Sequence, residues 1–391
     1  MRKGRVIAAL GTTQTLAWGS TYYLPAVLVD PIARDLGLSA DAFLAAFTFA
    51  LILSAVVSPA VGRAVDRAGG RGILSASNVV IAGGLALLAT AQGMLTLAAA
   101  WSVLGLGMGM GLYDTAFATL ARIYGQAARG PITGITLLAG FASTVGWPIT
   151  AALDAAYDWR TACAFWAVVH LAVCLPVNFF MLPKAGKPGP GGSAQSTAPP
   201  ATREQVRIMV LLAIAFAAVW FVAGAMATHL PRILQAAGAT PAQAVAFAAL
   251  IGPAQVAARV VEFVLIKHLH PVVSTRIATT LHSIGVVALM LLGVPGMVLF
   301  ALLHGAGNGL LTIGKGTVPL ALLGAEGYGY RQALISAPAR LTQAASPLLF
   351  GLLVTRYGAN ALWFSAGLTL IACGALLLLK VPNARRGGAS E

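Results

Sequence analysis

The sequence predicts an all-α membrane protein with twelve transmembrane helices in two six-helix bundles and both termini in the cytoplasm. Of its 391 residues, 58% are hydrophobic and only 9% are charged, and its mean hydropathy is +0.84. Soluble domains carry about 25% charged residues. Long apolar runs divide the whole chain, and its positive residues gather on alternate loops. The composition excludes an ordinary soluble enzyme, a disordered chain, a coiled coil and a disulfide scaffold.

Twelve apolar runs are long enough to cross a bilayer, which takes about 20 residues. The first run follows a basic N-terminus and continues through Val29 without a small-residue cleavage pattern, so we expect an uncleaved span and not a signal peptide. Glycines are frequent in the fourth and tenth runs, where they allow close helix packing. The runs are 6–29, 42–62, 72–92, 95–121, 131–153, 161–182, 207–230, 243–266, 272–292, 297–320, 332–354 and 361–380.

The distribution of positive charge predicts the orientation of these spans. The chain has 25 Lys and Arg against 11 Asp and Glu, a formal net charge of +14. With the N-terminus inside, 18 of the 25 positive residues fall in cytoplasmic segments, four on the opposite side and three within spans. Cytoplasmic loops of membrane proteins are rich in Lys and Arg. The excess therefore reflects topology, and no nucleic-acid partner is expected.

A segment rich in Pro, Gly and Ser separates the sixth run from the seventh. It reads KAGKPGPGGSAQSTAPPAT, from Lys184 to Thr202, and is typical of a flexible linker. We therefore predict four parts of the chain. They are an N-terminal six-helix bundle (1–183), a cytoplasmic linker (184–206), a C-terminal six-helix bundle (207–381) and a cytoplasmic tail (382–391).

Three short patterns recur at similar offsets in the two predicted bundles. Together they suggest two parallel halves related by an axis along the membrane normal. The pairs are Gly107-x-Gly109-x-Gly111 with Gly305-x-Gly307-x-Gly309 (offset 198), Leu24-Pro25 with Leu230-Pro231 (offset 206), and Trp147-Pro148 with Ser346-Pro347 (offset 199).

The predicted loop after the second run carries the pattern G-x-x-x-D-R-x-G-x-R. Its glycine would let two helices approach closely, and its Asp could pair with basic groups or lie near a helix N-terminus. A plain cytoplasmic loop with an incidental Asp is the alternative. The pattern residues are Gly62, Asp66, Arg67, Gly69 and Arg71.

With this loop, twelve runs and a central linker, the chain resembles the major facilitator superfamily over nearly its whole length. The resemblance implies secondary transport by rocking of two halves around a central cavity, with the loop acting at the cytoplasmic gate. The Asp158-Trp159-Arg160 step before the sixth run is also similar to a family feature. The fourth run lacks the Arg of many proton-coupled members, and Gly146-Trp147-Pro148 only approximates the signature of drug/proton antiporters.

Three cations fall inside predicted spans of the second half, where an unpaired charge costs about 2.5–3.5 kcal/mol. They are Arg259, Lys315 and Arg340. One interpretation is a cationic pocket for an anion, since arginine can hold a carboxylate or phosphate through two hydrogen bonds. In the alternative, Glu262 neutralises Arg259, and the other two cations extend to the cytoplasmic interface.

Two acids inside the predicted spans, Asp114 and Glu262, are the expected proton-coupling residues. Desolvation would favour protonation of either carboxylate. Asp114 could instead be a structural partner of Arg122 or of another basic loop residue.

The resemblance also implies that the first, fourth, seventh and tenth spans line the cavity. An aromatic belt at the outer interface is the alternative for Tyr22, Tyr23 and His229. The lining residues that we expect are Gln14, Trp18, Tyr22, Tyr113, Trp220, His229, His304 and Asn308, with Gln343 from the eleventh span as a further polar group.

These features predict a secondary transporter that moves a small organic solute, an anion such as a carboxylate, across the inner (plasma) membrane. Coupling to protons is a further expectation. The alternatives are efflux of lipophilic compounds and a membrane sensor that binds its ligand without carrying it. No nucleophile–base set, cofactor motif or metal-ligand spacing is visible, so neither an enzyme nor a bound cofactor or metal is expected. The expected partners are the solute, protons and the lipid bilayer, and the protein is expected to be a monomer.

Overall fold

The computed structural model describes residues 3–184, 202–266 and 268–380. Every regular element within these ranges is helical. Most of the predicted linker (residues 185–201) and the whole predicted tail (382–391) lie outside the described residues, as does Lys267.

Ten α-helices precede the linker, and we call them the N-terminal set. A 3₁₀ turn, Gly125–Ala128, and a π-helical turn, His170–Cys174, join neighbouring helices within the set. The helices are α1 (Lys3–Ser20), α2 (Pro25–Asp35), α3 (Ala40–Ala68), α4 (Gly70–Ala89), α5 (Met94–Gly111), α6 (Tyr113–Tyr124), α7 (Arg129–Ala139), α8 (Ala142–Ala156), α9 (Trp159–Val169) and α10 (Leu175–Met181).

Seven α-helices follow the linker and form the C-terminal set. Thr202 and Thr240 cap the first two, since each side chain accepts a hydrogen bond from a backbone N–H in the first turn. The helices are α11 (Arg203–Ala236), α12 (Pro241–Ala249), α13 (Ile251–Val261), α14 (Pro271–Leu292), α15 (Val294–Leu323), α16 (Tyr328–Tyr357) and α17 (Ala361–Leu377), with a π-helical turn at Glu262–Ile266 and a 3₁₀ turn at Gly358–Asn360.

All twelve apolar runs of the sequence fall on helices. Within the described ranges, nine helical segments are long and apolar enough to cross a membrane. Four of them contain two or more consecutive helices: Met94–Ala156, Trp159–Met181, Pro241–Ile266 and Tyr328–Leu377. The first run is not among the nine, because residues 21–24 divide it into α1 and the shorter α2. The architecture is therefore an all-helical multi-pass membrane fold.

Glycines bring the helices of each set into contact at equivalent places. A methyl group added at Gly105 would overlap Ala50 of α3, and one added at Gly305 would overlap Ile251 of α13. These contacts relate the two sets by an offset of 200, two residues from the offset of 198 suggested by the sequence. The pattern G-x-G-x-G-x-G from 105 to 111 repeats every two residues, so sequence alone could not fix its register.

The two sets differ in one respect that positions the site. The fourth apolar run is broken at Leu112, whose backbone is extended (φ −85°, ψ −170°), whereas the equivalent α15 runs unbroken for 30 residues. The side-chain amide of Gln14 donates to the freed carbonyl of Gly111 over 2.6 Å. The break makes Asp114 part of the first turn of α6, where the helix dipole favours a negative charge.

Candidate functional site

A cluster of three charged side chains joins the two sets of helices around Asp114. Its carboxylate lies 3.1 Å from Nζ of Lys315 in α15 and 2.6 Å from a guanidinium nitrogen of Arg340 in α16. Gln332 and Ser336 also donate to Oδ1, at 3.5 and 3.4 Å. Asp114 is 5% exposed. The cluster, which we call the Asp114 cluster, carries two positive charges and one negative charge.

Arg340 reaches a third helix of this interface. Its guanidinium donates to the carbonyl of Ser54, at 3.0 Å, and to the hydroxyls of Ser54 and Ser58 in α3. The ring of Trp220 lies under the ammonium group of Lys315, 5.3 Å from the ring centroid. The alternative interpretation has Lys315 and Arg340 extend to the cytoplasmic surface of the membrane. In the structure both side chains point inward instead, because each pairs with Asp114.

Arg259 lies apart from this cluster and has no acidic partner in the described part of the chain. Its side chain is buried, with 5% of the residue exposed, and it contacts only neutral acceptors. These are the carbonyl of Thr136 (3.1 Å), the carbonyl of Gly309 (3.5 Å) and the hydroxyl of Thr312 (3.5 Å). Among the described residues, no carboxylate lies within ion-pair distance of Arg259. A buried guanidinium held by three neutral and mostly long hydrogen bonds is costly without a counter-ion.

Glu262, one position beyond α13, pairs with Arg129 and not with Arg259. The two side chains are 3.2 Å apart, and they join α7 of the N-terminal set to the π-helical turn of the C-terminal set. Glu262 is 3% exposed, and among the described residues its second oxygen, Oε2, has no hydrogen-bond partner. One carboxylate oxygen of Glu262 is therefore buried without a donor.

Aromatic side chains from the first and fourth runs form a wall at the interface. Trp18 contacts Tyr22 and Tyr113, with ring centroids 5.2 and 4.9 Å apart, and the hydroxyl of Tyr22 accepts a hydrogen bond from Gln343 over 2.8 Å. The indole N–H of Trp18 and Oε1 of Gln14 are buried and have no hydrogen-bond partner among the residues that the structure describes. These predicted lining residues are thus brought together, and two of them have polar atoms that a solute could satisfy.

Three other predicted lining residues lie within the C-terminal set. His304 and Asn308 line a cavity of about 10 Å³ among α11, α14, α15 and α17. The Nδ1 atoms of His304 and His282 are 2.9 Å apart, and Nε2 of His282 bonds to the hydroxyl of Ser365. His229 lies beside α16, where its Nε2 bonds to the carbonyl of Pro347. The structure does not bring these histidines to the Asp114 cluster.

The segment predicted as the gate loop is mostly helical, because Gly62, Asp66 and Arg67 lie in the last turns of α3 and Arg71 in the first turn of α4. Its α3 part meets the start of α16. Both carboxylate oxygens of Asp66 accept hydrogen bonds there, one from the backbone N–H of Gly329 and one from that of Tyr330, each at 2.8 Å. Gly62 faces Gly329 so closely that a methyl group on either would overlap the backbone of the other. Arg122, 56 residues from Asp66, donates to the carbonyls of Asp66 and Arg67. Arg122 therefore supports the loop and is not the partner of Asp114.

The remaining residues of the loop pattern have local roles. Gly69 separates α3 from α4 with a positive φ of 79°, a conformation that favours glycine. The guanidinium of Arg71 lies over the ring of Phe179, 4.4 Å from its centroid, and so ties the loop to α10. The side chain of Arg67 is exposed.

The Asp158-Trp159-Arg160 step is distant from the site and stabilises the opposite end of the N-terminal set. Asp158 caps α9 by accepting the N–H of Thr161, and this hydrogen bond holds the pKa of the Asp158 carboxyl below its usual value. Arg160 pairs with Asp35 over 2.9 Å and also donates to two backbone carbonyls. This step has a structural role.

The two sets are joined at one end and through the middle. Within the described part of the chain, the hydrogen bonds between them extend from Asp66, beside the gate loop, to Tyr22 and Gln343, midway along α16. None joins their opposite ends. Sequence reasoning missed Ser54, Ser58, Thr312 and Gln332, because hydroxyl and amide groups inside spans are common and only the fold shows that these four face buried charges.

Comparison with known proteins identifies similar sequences and folds. A sequence model described as Major Facilitator Superfamily matches residues 10–313. A Thermoproteus tenax protein, described as an uncharacterized 38 kDa protein in 23S RNA operon, is 33% identical over 156 residues. That match spans 40% of this chain and 40% of the relative.

Solved structures with a similar fold cover almost the entire chain. The human organic anion transporter MFSD10 (TETRAN) has a TM-score of 0.73 at 16% identity, covering 96% of this chain and 100% of that one. FucP, in an outward conformation, has a TM-score of 0.76 at 13% identity, with 95% and 97% covered. The proton:xylose symporter XylE has a TM-score of 0.70 at 12% identity, with 96% of each chain covered. At these identities the likeness shows the fold alone.

Proposed function

This chain belongs to the Major Facilitator Superfamily, and on that premise we propose that it is a secondary transporter of a small organic anion, such as a carboxylate. Members of this family are transporters and not enzymes. The N- and C-terminal sets would rock around the site between them, so that the site opens to one side of the membrane at a time.

The observation that carries the anion proposal is the buried, unpaired guanidinium of Arg259. It lies where α13 meets Thr136 of α7, between the two sets. A charge in this position is costly unless a counter-ion binds, and arginine presents a planar fork that fits a carboxylate or phosphate. One solved neighbour is described as an organic anion transporter and another as a proton:xylose symporter. Because the same fold serves both an anion and a sugar, it does not indicate the solute of this chain. The proposal of an anion therefore rests on Arg259.

We propose the predicted topology for this transporter: twelve spans, both termini cytoplasmic, bundles at 1–183 and 207–381, and a monomer in the inner (plasma) membrane. The excess of positive residues on alternate loops supports this orientation. With that orientation, the joined end is cytoplasmic, and the conformation described here is closed on that side.

For proton coupling we propose Glu262 in preference to Asp114. Two cations hold the carboxylate of Asp114 in its charged form, whereas Glu262 has one partially exposed arginine and a buried oxygen without a donor. A proton on Glu262 would weaken its ion pair with Arg129 and so favour separation of the sets at that end.

A second candidate function is efflux of lipophilic compounds. The aromatic wall of Trp18, Tyr22 and Tyr113 supports it, because such rings bind apolar solutes without requiring a charge. In that case Arg259 would be dispensable for the solute.

Uptake into proteoliposomes distinguishes the two functions. We expect saturable uptake of succinate or benzoate, and none of tetraphenylphosphonium or glucose. Arg259→Gln should weaken the apparent affinity for the anion about 10- to 150-fold, the range for losing a hydrogen-bonded charge. Arg207→Gln is the matched control, since Arg207 is exposed and pairs with Glu204 within α11. Normal anion uptake by Arg259→Gln would contradict the proposal.

A further inference from the structure

The Asp114 cluster must break during every transport cycle. Asp114 belongs to the N-terminal set, whereas Lys315 and Arg340 belong to the C-terminal set. The cluster lies toward the joined end, where the sets have to separate for the site to open on that side. Separation therefore removes the carboxylate from two buried cations at once.

In this conformation, no acid of the described C-terminal set pairs with these cations. Glu204 pairs with Arg207 on the exposed first turn of α11, and Glu262 lies in the π-helical turn after α13, beside Arg129. Glu326 is exposed in the turn after α15. Within the described residues, the C-terminal set thus holds Lys315 and Arg340 side by side with no carboxylate of its own.

The two helices that carry these cations, α15 and α16, are tied to each other within the C-terminal set. Gln332 donates to the carbonyl of Lys315 over 3.1 Å and to the hydroxyl of Ser336, one turn along α16. Because these bonds lie within the C-terminal set, they persist when the sets separate. Lys315 and Arg340 therefore stay on adjacent helices of one set, and in this conformation each binds a different oxygen of one carboxylate.

We infer that Lys315 and Arg340 form a second anion site, filled by the carboxylate of Asp114 in this conformation and by a small anion from solution when the joined end opens. This inference rests on the proposed anion transport and adds to it a state-dependent site separate from Arg259. The anion that replaces Asp114 is a carboxylate, phosphate or chloride. One consequence is that a carrier without anion opens this end slowly, so that exchange of anions is faster than their net movement.

A cysteine at position 320 reports opening of this end. Leu320 of α15 is 1% exposed and packs among residues of the N-terminal set, including Phe117 and Ile132. In full-length protein with Cys163, Cys174 and Cys373 replaced by alanine, Leu320→Cys should react with a maleimide only when the sets separate there. The reaction rate is measured in nanodiscs, in a zwitterionic low-salt buffer, with succinate, phosphate, chloride or glucose added separately.

We expect at least one of the three anions to raise the labelling rate at least about tenfold, and glucose to leave it unchanged. The double variant Lys315→Gln/Arg340→Gln should show no response to anions. Asp114→Asn should label rapidly without added anion, whereas Asp114→Glu, which restores a carboxylate, should label slowly and respond to anions. Glu204→Gln, on the surface, should behave as the parent.

Two results would overturn the inference: a labelling rate unaffected by all three anions, or an anion response that persists without Lys315 and Arg340. The outcome is separable from that of the proposed function. Loss of the labelling response with intact Arg259-dependent uptake contradicts the second site alone. A Lys315- and Arg340-dependent response in a protein that transports no anion contradicts the transport proposal alone.

Discussion

Asp66 Oδ1 accepts a hydrogen bond from the backbone N–H of Gly329 over 2.8 Å, although the two residues are 263 positions apart in the chain. The carboxylate thereby caps α16 from outside, because it satisfies two N–H groups at the start of that helix and lies at the positive end of its dipole. This contact joins the two sets at the end that carries the gate loop.

We predict that Asp66→Asn weakens this closed end by about 1.5–3 kcal/mol, since a neutral amide offers one acceptor where the carboxylate offers two. Spin labels at the exposed positions Gly72 and Glu326, measured by pulsed electron resonance, should show a larger population at long distance. Asp41→Asn, an exposed acid in the first turn of α3, is the control and should leave the distances unchanged. An unchanged distribution in Asp66→Asn would count against a role of Asp66 in closure.

Gly62→Ala should lower the maximal uptake rate while the protein still folds. The added methyl group would overlap the carbonyl of Gly329, so α3 and α16 would have to move apart, at a cost of about 1–3 kcal/mol to the closed state. Gly72→Ala serves as the comparison, because nothing lies near the position of its added carbon. Equal uptake rates for the two variants would show that close approach at Gly62 is unimportant.

His304→Phe should lower thermal stability and leave the apparent affinity for the solute unchanged. The substitution removes a buried hydrogen bond to His282 within the C-terminal set, a loss of about 1–3 kcal/mol. Unfolding temperature and uptake kinetics, measured on the same preparation, test the two parts. A weaker affinity at unchanged stability would instead support the lining role that the sequence suggested for His304.

Glu262→Gln should uncouple the transporter from protons. The amide keeps the shape of the side chain but can neither gain a proton nor pair as an anion with Arg129. Anion exchange between the two sides should continue, whereas accumulation driven by a pH gradient should be lost, as measured in proteoliposomes with an imposed gradient. Accumulation that survives in Glu262→Gln and is lost in Asp114→Asn would transfer the coupling role to Asp114.

The positions of the helices could be predicted from the sequence, because a bilayer-spanning helix is recognisable from its length and apolar composition. The break at Leu112 could not be predicted in this way. Leu112 and its neighbours are apolar or small, and the extended backbone there is stabilised by Gln14, nearly a hundred residues away. The glycine repeat likewise predicted two related halves. The offset that it suggested between them, 198 residues, is two residues smaller than the offset of 200 given by the helix contacts.

The charged residues of the site were identified from the sequence, because a charge inside an apolar run is conspicuous. Their partners were not, since partnership depends on which helix faces are adjacent. Asp114 pairs with Lys315 and Arg340 across the interface, and Glu262 pairs with Arg129. Helical spacing alone would have favoured a pair between Arg259 and Glu262, which lie three positions apart.

The unpaired charge of Arg259 also makes the carrier sensitive to voltage. Each elementary charge moved through the membrane potential changes the free energy by about 2.3 kcal/mol per 100 mV. A bound monovalent anion would cancel the charge of Arg259, so the loaded carrier would cross its cycle with little response to the potential. Currents recorded at several potentials would then report the return of the empty carrier. In a cell whose inside is negative, the potential would favour the empty conformation in which the charge of Arg259 lies nearer the cytoplasm.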